Sequence, residues 1–317
     1  MKLRKVLVLS ALGLSLMAAI PTVASAAEVF EKVGTFGAQF LKIGVSARAT
    51  ALGSAFTAIA DDATAVYWNP AGIVSIRGSE LTLNQTMWPA DIKLSYAAYV
   101  FNPRSIPGTF AISARALWMD PEPERTAFKP EGTGRTFDNG MSTLGLTYSR
   151  YFTDKFSAGF TGYYMHSGLA ETSVNSFLMD VGILYRVGIR GMKIGMIIQS
   201  LGGEVNYDDR PARMPTTFKV GVSFVPIRTE RQSVLVSGEF QHPADNAERA
   251  NFGLEYGMDE TFFLRGGYNL NYDAETFSAG AGFRIHTGER SAAALDYSYV
   301  DMSSLGGVHR VTVSFRY

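Results

Sequence analysis

The last eleven residues, Gly307 to Tyr317, alternate between oily and polar side chains. Val311, Val313, Phe315 and Tyr317 share one face, and Arg310, Thr312, Ser314 and Arg316 share the other. Successive side chains of a strand point to opposite faces, so this pattern predicts a strand with one apolar and one ionic face. The pattern recurs in about fourteen segments, at 81–88, 93–101, 108–119, 139–152, 156–168, 173–187, 191–201, 215–227, 231–241, 248–258, 261–271, 277–287, 291–302 and 307–317. Most have the roughly 9–11 residues that a tilted strand needs to cross a bilayer.

The parity assigns each face. Phe177, Met179, Val181, Ile183 and Tyr185 point one way, with Ser176, Asp180 and Arg186 opposite. Phe218, Val220, Val222 and Phe224 oppose Lys219 and Ser223, while Phe277, Ala279, Ala281, Phe283 and Ile285 oppose Ser278, Arg284 and His286. Most charges within the segments share the polar parity, among them Lys93, Arg115, Glu239, Glu255, Arg265, Asp296 and Arg310. In a transmembrane barrel an Arg or Lys on the lipid face at mid-membrane costs about 2–4 kcal/mol, so the polar parity is read as the lumen. Val313→Arg is accordingly expected to impair assembly far more than Thr312→Arg. The outward aromatics Trp118, Tyr148, Tyr185, Tyr256 and Tyr297 are candidates for interfacial girdles.

Connections give an independent sign. The long 119–139 and 202–215 segments follow odd strands, whereas 153–155, 188–190 and 259–260 follow even ones. Bacterial barrels place short turns on the periplasmic side and longer loops outside. A soluble β-sandwich would also alternate, but requires neither this asymmetry nor the sorting of charge. The loop 120–138, carrying Pro121, Pro123 and Pro130, is the candidate external contact.

Composition fits export. Lys2, Arg4 and Lys5, then the apolar stretch Val6 to Ile20 and Ala24-Ser25-Ala26, read as a signal peptide cleaved after residue 26. Its removal leaves 26 basic against 29 acidic groups, a balance that argues against a nucleic-acid partner. There are no cysteines, hence no disulfides. No linker or low-complexity tract divides the rest. The expected organisation is a signal peptide (1–26), an N-terminal hatch segment (27–78) and an outer-membrane barrel (79–317).

The hatch segment has its own texture. A small-residue stretch from Ala47 to Ala60 precedes Asp61-Asp62-Ala63-Thr64-Ala65-Val66-Tyr67-Trp68-Asn69-Pro70-Ala71-Gly72-Ile73. Asp61 or Asp62 is placed to cap a short helix, which Asn69-Pro70 and Gly72 end in a turn. These residues, with Phe40-Leu41-Lys42-Ile43-Gly44, Ala47-Arg48-Ala49 and Leu52-Gly53-Ser54-Ala55-Phe56-Thr57-Ala58, resemble the N-terminal signature of the PorV/PorQ family. That family is similar to FadL-type long-chain fatty acid transporters, which share the Asn-Pro-Ala-Gly element. The resemblance implies an all-β, antiparallel fourteen-stranded outer-membrane barrel with the N-terminal segment inside its lumen as a hatch. The hatch residues would be Asp61, Asp62, Asn69, Pro70 and Gly72.

Two roles follow from the resemblance: passage of hydrophobic small molecules through a hatch-gated lumen, or service as an accessory of type IX secretion through protein contacts. Expected partners are the lipids of a Gram-negative-type outer membrane, with a hydrophobic ligand or secretion-system proteins. An apolar pocket between hatch and wall would favour the first role, and a lumen filled by side chains the second. The hatch is expected to move relative to the wall, because its small-residue texture lacks a large apolar anchor. The lumen-facing charges Arg265, Arg284, Asp296 and Arg310 have two readings, a network anchoring the hatch or a site for a substrate carboxylate. Catalysis, cofactor and metal have little support. His166, His242, His286 and His309 lie on separate segments without metal-ligand spacing, and Asp61-Asp62 lacks the oxygen spacing of a calcium loop.

Overall fold

The computed structural model describes residues 36–137, 139–169, 172–207, 210–288 and 291–317. The signal peptide expected from the sequence and the start of the expected hatch segment lie outside these residues. Fourteen strands close into an antiparallel barrel. In chain order they are β1 (Glu80–Met87), β2 (Lys93–Phe101), β3 (Thr109–Trp118), β4 (Asn139–Tyr151), β5 (Phe156–Leu169), β6 (Thr172–Arg186) and β7 (Lys193–Gly202). Then come β8 (Thr217–Arg228), β9 (Gln232–Pro243), β10 (Arg249–Met258), β11 (Phe262–Leu270), β12 (Phe277–His286), β13 (Ala292–Asp301) and β14 (Gly307–Arg316). Every end lies within two residues of the segment that alternation predicts.

Each strand pairs with its neighbours in sequence, and β14 closes on β1 with Leu83 opposite Val313 and Thr86 opposite Arg310. Closure pairs every strand edge, which a spanning sheet requires because lipid offers its backbone no hydrogen bonds. An even count returns both ends of the barrel to one rim, where Glu80 lies opposite Arg316. We call this the terminal end and the opposite rim the loop end. Most of the loop-length asymmetry comes from two loop-end connections, each folded into a small hairpin: Glu122–Pro123 with Thr136–Phe137, and Val205–Tyr207 with Arg210–Ala212.

The outer face is an apolar band. Phe177, Leu146, Leu264, Phe218, Leu295 and Phe315 are all exposed, Phe177 to 78%. At the terminal end, Tyr99, Phe101, Phe110, Tyr148 and Phe160 run ring to ring across β2–β5, with centroids 5.0–6.0 Å apart. This is the kind of aromatic belt found at membrane interfaces. Tyr185 and Trp118 lie near strand ends as a girdle requires, but Tyr297 stands midway along β13, hydrogen-bonded to His309 at 2.7 Å.

Two face assignments need correction. Lys93 belongs to the outward parity; at the end of β2 it lies over the outward Trp118, 4.7 Å from the ring centroid, and 3.8 Å from Asp120. An interfacial lysine keeps its ammonium in water while its stem covers apolar surface. The lumen face is also not uniformly polar. β2 turns Leu94, Tyr96, Ala98 and Val100 inward, where they pack with Val45, Val66, Ile73 and Ile76 of the N-terminal segment.

That segment fills the lumen. It contains a 3-10 turn (Gln39–Lys42), helix α1 (Ala47–Ala51), helix α2 (Ala65–Trp68) and a second 3-10 turn (Pro70–Ser75). It does have a large apolar anchor, contrary to expectation: Leu52, Phe56, Ile59 and Trp68 are fully buried and pack together. The reason is that aromatic and branched residues interspersed among the alanines converge only after folding.

Candidate functional site

A chain with so little regular structure leaves many backbone groups without helical or sheet partners, and buried ones must find partners elsewhere. Here the wall supplies them with side chains. Thr312 Oγ1 accepts from the Ala47 N–H at 2.8 Å, Glu239 from the Thr57 N–H at 2.9 Å and Glu80 from the Ala63 N–H at 2.8 Å. In the other direction, Lys193 donates to the Ile59 carbonyl at 2.8 Å, and Ser157 to that of Ala71 at 2.9 Å. The guanidinium of Arg115 reaches the carbonyls of Phe40, Leu41 and Ile43.

The Asn-Pro-Ala-Gly element works by the same logic. Asn69 is extended, as a residue before proline prefers, and its Oδ1 accepts from the Ala71 N–H at 3.2 Å to begin the 3-10 turn. Its Nδ2 donates to the carbonyls of Thr57 (2.9 Å) and of Ile183 in β6 (3.0 Å), joining two parts of the segment to the wall. Pro70 occupies the first helical position, where no amide donor is needed. Gly72 is a close approach: a Cβ there would lie 1.9 Å from the Ala60 carbonyl oxygen. Opposite, Gly182 of β6 makes room for Asn69, whose Oδ1 would lie 2.1 Å from an added Cβ.

A buried charge network centres on Arg48. Its Nε and Nη2 hold Glu255 of β10 at 3.0 and 3.2 Å, and its Nη1 meets Asp61 at 2.6 Å and Asp62 at 3.2 Å. Arg265 extends the chain from Glu255 (2.6 Å) to Asp296 (2.6 Å). Burial opposes the charge on Asp61, yet Arg48 beside it holds the carboxyl well below its ordinary range. Burial likewise works against Arg48, and Asp61, Glu255 and Asp62 more than reverse it. Asp62 also accepts from the Thr64 N–H at 3.0 Å, a turn just ahead of α2 rather than a cap on it.

Of the four lumen-facing charges singled out in the sequence, Arg265 and Asp296 join this network. Arg284 lines the terminal-end cavity beside it, while Arg310 lies apart. Buried on β14, its Nε and Nη1 have no hydrogen-bond partner. Sequence reasoning missed Arg48 as the hub, because the contact with Glu255 spans 207 positions. The sign available was a lone arginine in a stretch of small residues.

The segment divides the lumen into two vestibules. The terminal-end one, about 680 Å³, is lined by Arg48, Asp62, Glu80, Arg284, Asp296 and Arg316. The loop-end one, about 320 Å³, is lined in part by Lys42, Thr50, Trp68, Lys219, Arg249 and Arg310. It is rich in charge and amide groups, not the apolar pocket expected of a hydrophobic route. Helix α1 has Thr50 on one side of the partition and Arg48 on the other. Thr50 is tied to the wall by a 3.0 Å hydrogen bond with Ser298.

This geometry defines a plugged transmembrane β-barrel. Residues 15–170 match the model of an uncharacterised protein family, UPF0164. No curated protein matches in sequence. Among solved structures, the toluene transporter TbuX of Ralstonia pickettii is similar with a TM-score of 0.54 at 14% identity, over 86% of this chain and 97% of that one. CymD, a monoaromatic hydrocarbon channel, gives 0.53 at 12% over 89% and 97%. The toluene transporter TodX of Pseudomonas putida gives 0.54 at 11% over 80% and 92%. At these identities the likeness shows the fold.

Proposed function

We propose that the protein is an outer-membrane transporter of a Gram-negative-type envelope. In this reading it passes small, largely hydrophobic molecules through a lumen gated by its N-terminal hatch, in the manner of FadL-type barrels. The observation that carries the reading is the pair of vestibules, one at each end, with Thr50 of α1 lining one and Arg48 of α1 the other. The solved barrels of the same fold, described as toluene transporters and a monoaromatic hydrocarbon channel, supply the substrate class. In this reading the gate is α1, which lines both vestibules, and opening it breaks its ties to Thr312, Glu255 and Ser298. Uptake of radiolabelled toluene should be faster in intact outer-membrane-bearing cells that carry the protein than in cells that lack it; equal rates would refute the reading.

A PorV/PorQ-type role in type IX secretion is the second reading. It rests on the N-terminal motif and on Phe128, 96% exposed at the tip of the 119–138 loop. It predicts that large exported proteins or translocon subunits co-purify from native membranes and are lost on Phe128→Ser. Purification without them would count against it.

A further inference from the structure

Native proteins rarely bury donors of a charged group without partners. Arg310 is 2% exposed, its Nε and Nη1 are unpartnered, and it lines the loop-end vestibule. Arg249 lines the same cavity with an unpartnered Nε. Its nearest carboxylate contact is 3.9 Å away, to Asp273, which is 90% exposed. Lys219, buried on β8, is the third cation. Each rests against an aromatic ring: Arg310 at 5.6 Å from Trp88, Arg249 at 4.4 Å from Tyr272 and Lys219 at 5.1 Å from Trp68.

Carboxylates stand around this trio, Glu275 near all three and Glu239 and Asp180 near Lys219, but the buried donors of Arg310 and Arg249 remain without a hydrogen-bond partner. Lys42 is already engaged by Asp245 at 2.8 Å. Glu275 is the one partly buried carboxylate lining the cavity among the described residues, and its hydrogen bond there is a 3.4 Å contact from Asn269. A cavity of about 320 Å³ is at the small end of ligand pockets. Cations want an anion, and the rings want a flat apolar body beside it.

Resting on the transport reading above, we propose that the loop-end vestibule binds small organic carboxylates with a compact aromatic body. Arg310 donates to the carboxylate, Lys219 and Arg249 flank it, and the aromatic faces hold the ring. The two readings of the lumen charges thus fall to different residues: Arg265 and Asp296 anchor the segment, and Arg310 faces the ligand. Buried donors to an ionised acceptor are stronger than neutral ones and reject an analogue lacking the charge.

The test is equilibrium binding to the full chain purified in detergent, followed by calorimetry with benzoate, benzyl alcohol and inorganic phosphate as probes. Benzoate should bind at least tenfold tighter than either of the others. Arg310→Gln should weaken benzoate at least tenfold and leave benzyl alcohol within twofold. Lys219→Gln, a second variant should the first not assemble, should weaken benzoate in the same sense. Benzoate no tighter than benzyl alcohol, phosphate as tight as benzoate, or benzoate affinity unchanged in an assembled variant would each overturn the proposal. Because binding is measured without flux, benzoate binding in a barrel that transports nothing would refute the transport reading alone. Toluene flux without benzoate preference would refute this inference alone.

Discussion

At the scale of single residues, Arg48 holds three carboxylates, Glu255, Asp61 and Asp62. Removing one partner of a buried ion pair strands the other's charge, at about 3–5 kcal/mol. Arg48→Ala leaves Glu255 and Arg265 paired and takes from Asp61 and Asp62 their hydrogen-bonded cation, leaving Asp61 only the more distant Lys193 and Arg284, so we expect a loss at the low end of that range in urea unfolding from micelles. A change below about 1 kcal/mol would mean that the network is decorative. Asp61 contributes one pH-dependent part of the stability. Its carboxyl is depressed in the folded state by Arg48 despite burial, so its stabilisation is present above the unfolded value of about 3.9 and is lost as pH falls from there towards the folded value. Its side chain is 37% exposed, so water screens part of the attraction. The stability difference between the protein and its Asp61→Asn variant should therefore stay constant from pH 8 to 5 and shrink only in stronger acid. A difference that changes near pH 6 would contradict this. Neither role was legible from the sequence, where Arg48 and Glu255 are distant and only the carboxylate pair stands out.

At the scale of elements, the strands were legible because their period of two is local and repeated. Face assignment failed where local pattern and long-range packing disagree. β2 alternates, but its inward side chains are the apolar Leu94, Tyr96, Ala98 and Val100, chosen by what packs against them. Thr312 is similar: it is lumen-facing as expected, but buried and bonded to both Ala47 and Asn84. An arginine there would push the hatch segment off the wall, so Thr312 is a poor comparator for a lipid-facing substitution. Ser314, next inward on β14, faces the terminal-end vestibule. Val313→Arg should cost about 2–4 kcal/mol in assembled barrel, with Ser314→Arg costing under 1. Heat-modifiable migration on gels reads out both, and equal losses would mean that the faces are misassigned. Wall glycines such as Gly182 were likewise invisible as design features. Their spacing reflects the path of another segment, not that of their own strand.

At the scale of the whole molecule, the barrel and its filling depend on each other. The wall satisfies the irregular backbone of the segment, and the segment fills a lumen whose buried carboxylates and arginines would otherwise need water. Trp68, Phe56 and Ile73, fully buried, fix most of that filling in place. Between the vestibules stands α1, held to the wall by Ala47 with Thr312, Arg48 with Glu255 and Thr50 with Ser298, so opening it means breaking those ties. The strand count, the closed ring and the inward N-terminal segment could be anticipated from alternation and from the Asn-Pro-Ala-Gly motif. The partition could not, since it exists only where helix and wall meet.

That partition can be locked. The chain has no cysteines, and the Thr50 and Ser298 hydroxyls are 3.0 Å apart, close to what a disulfide spans. In intact outer-membrane-bearing cells carrying the Thr50→Cys/Ser298→Cys variant, the protein-dependent part of toluene uptake should stop on oxidation and return on reduction. Equal uptake in the two states, including none in either, would contradict a gate at α1.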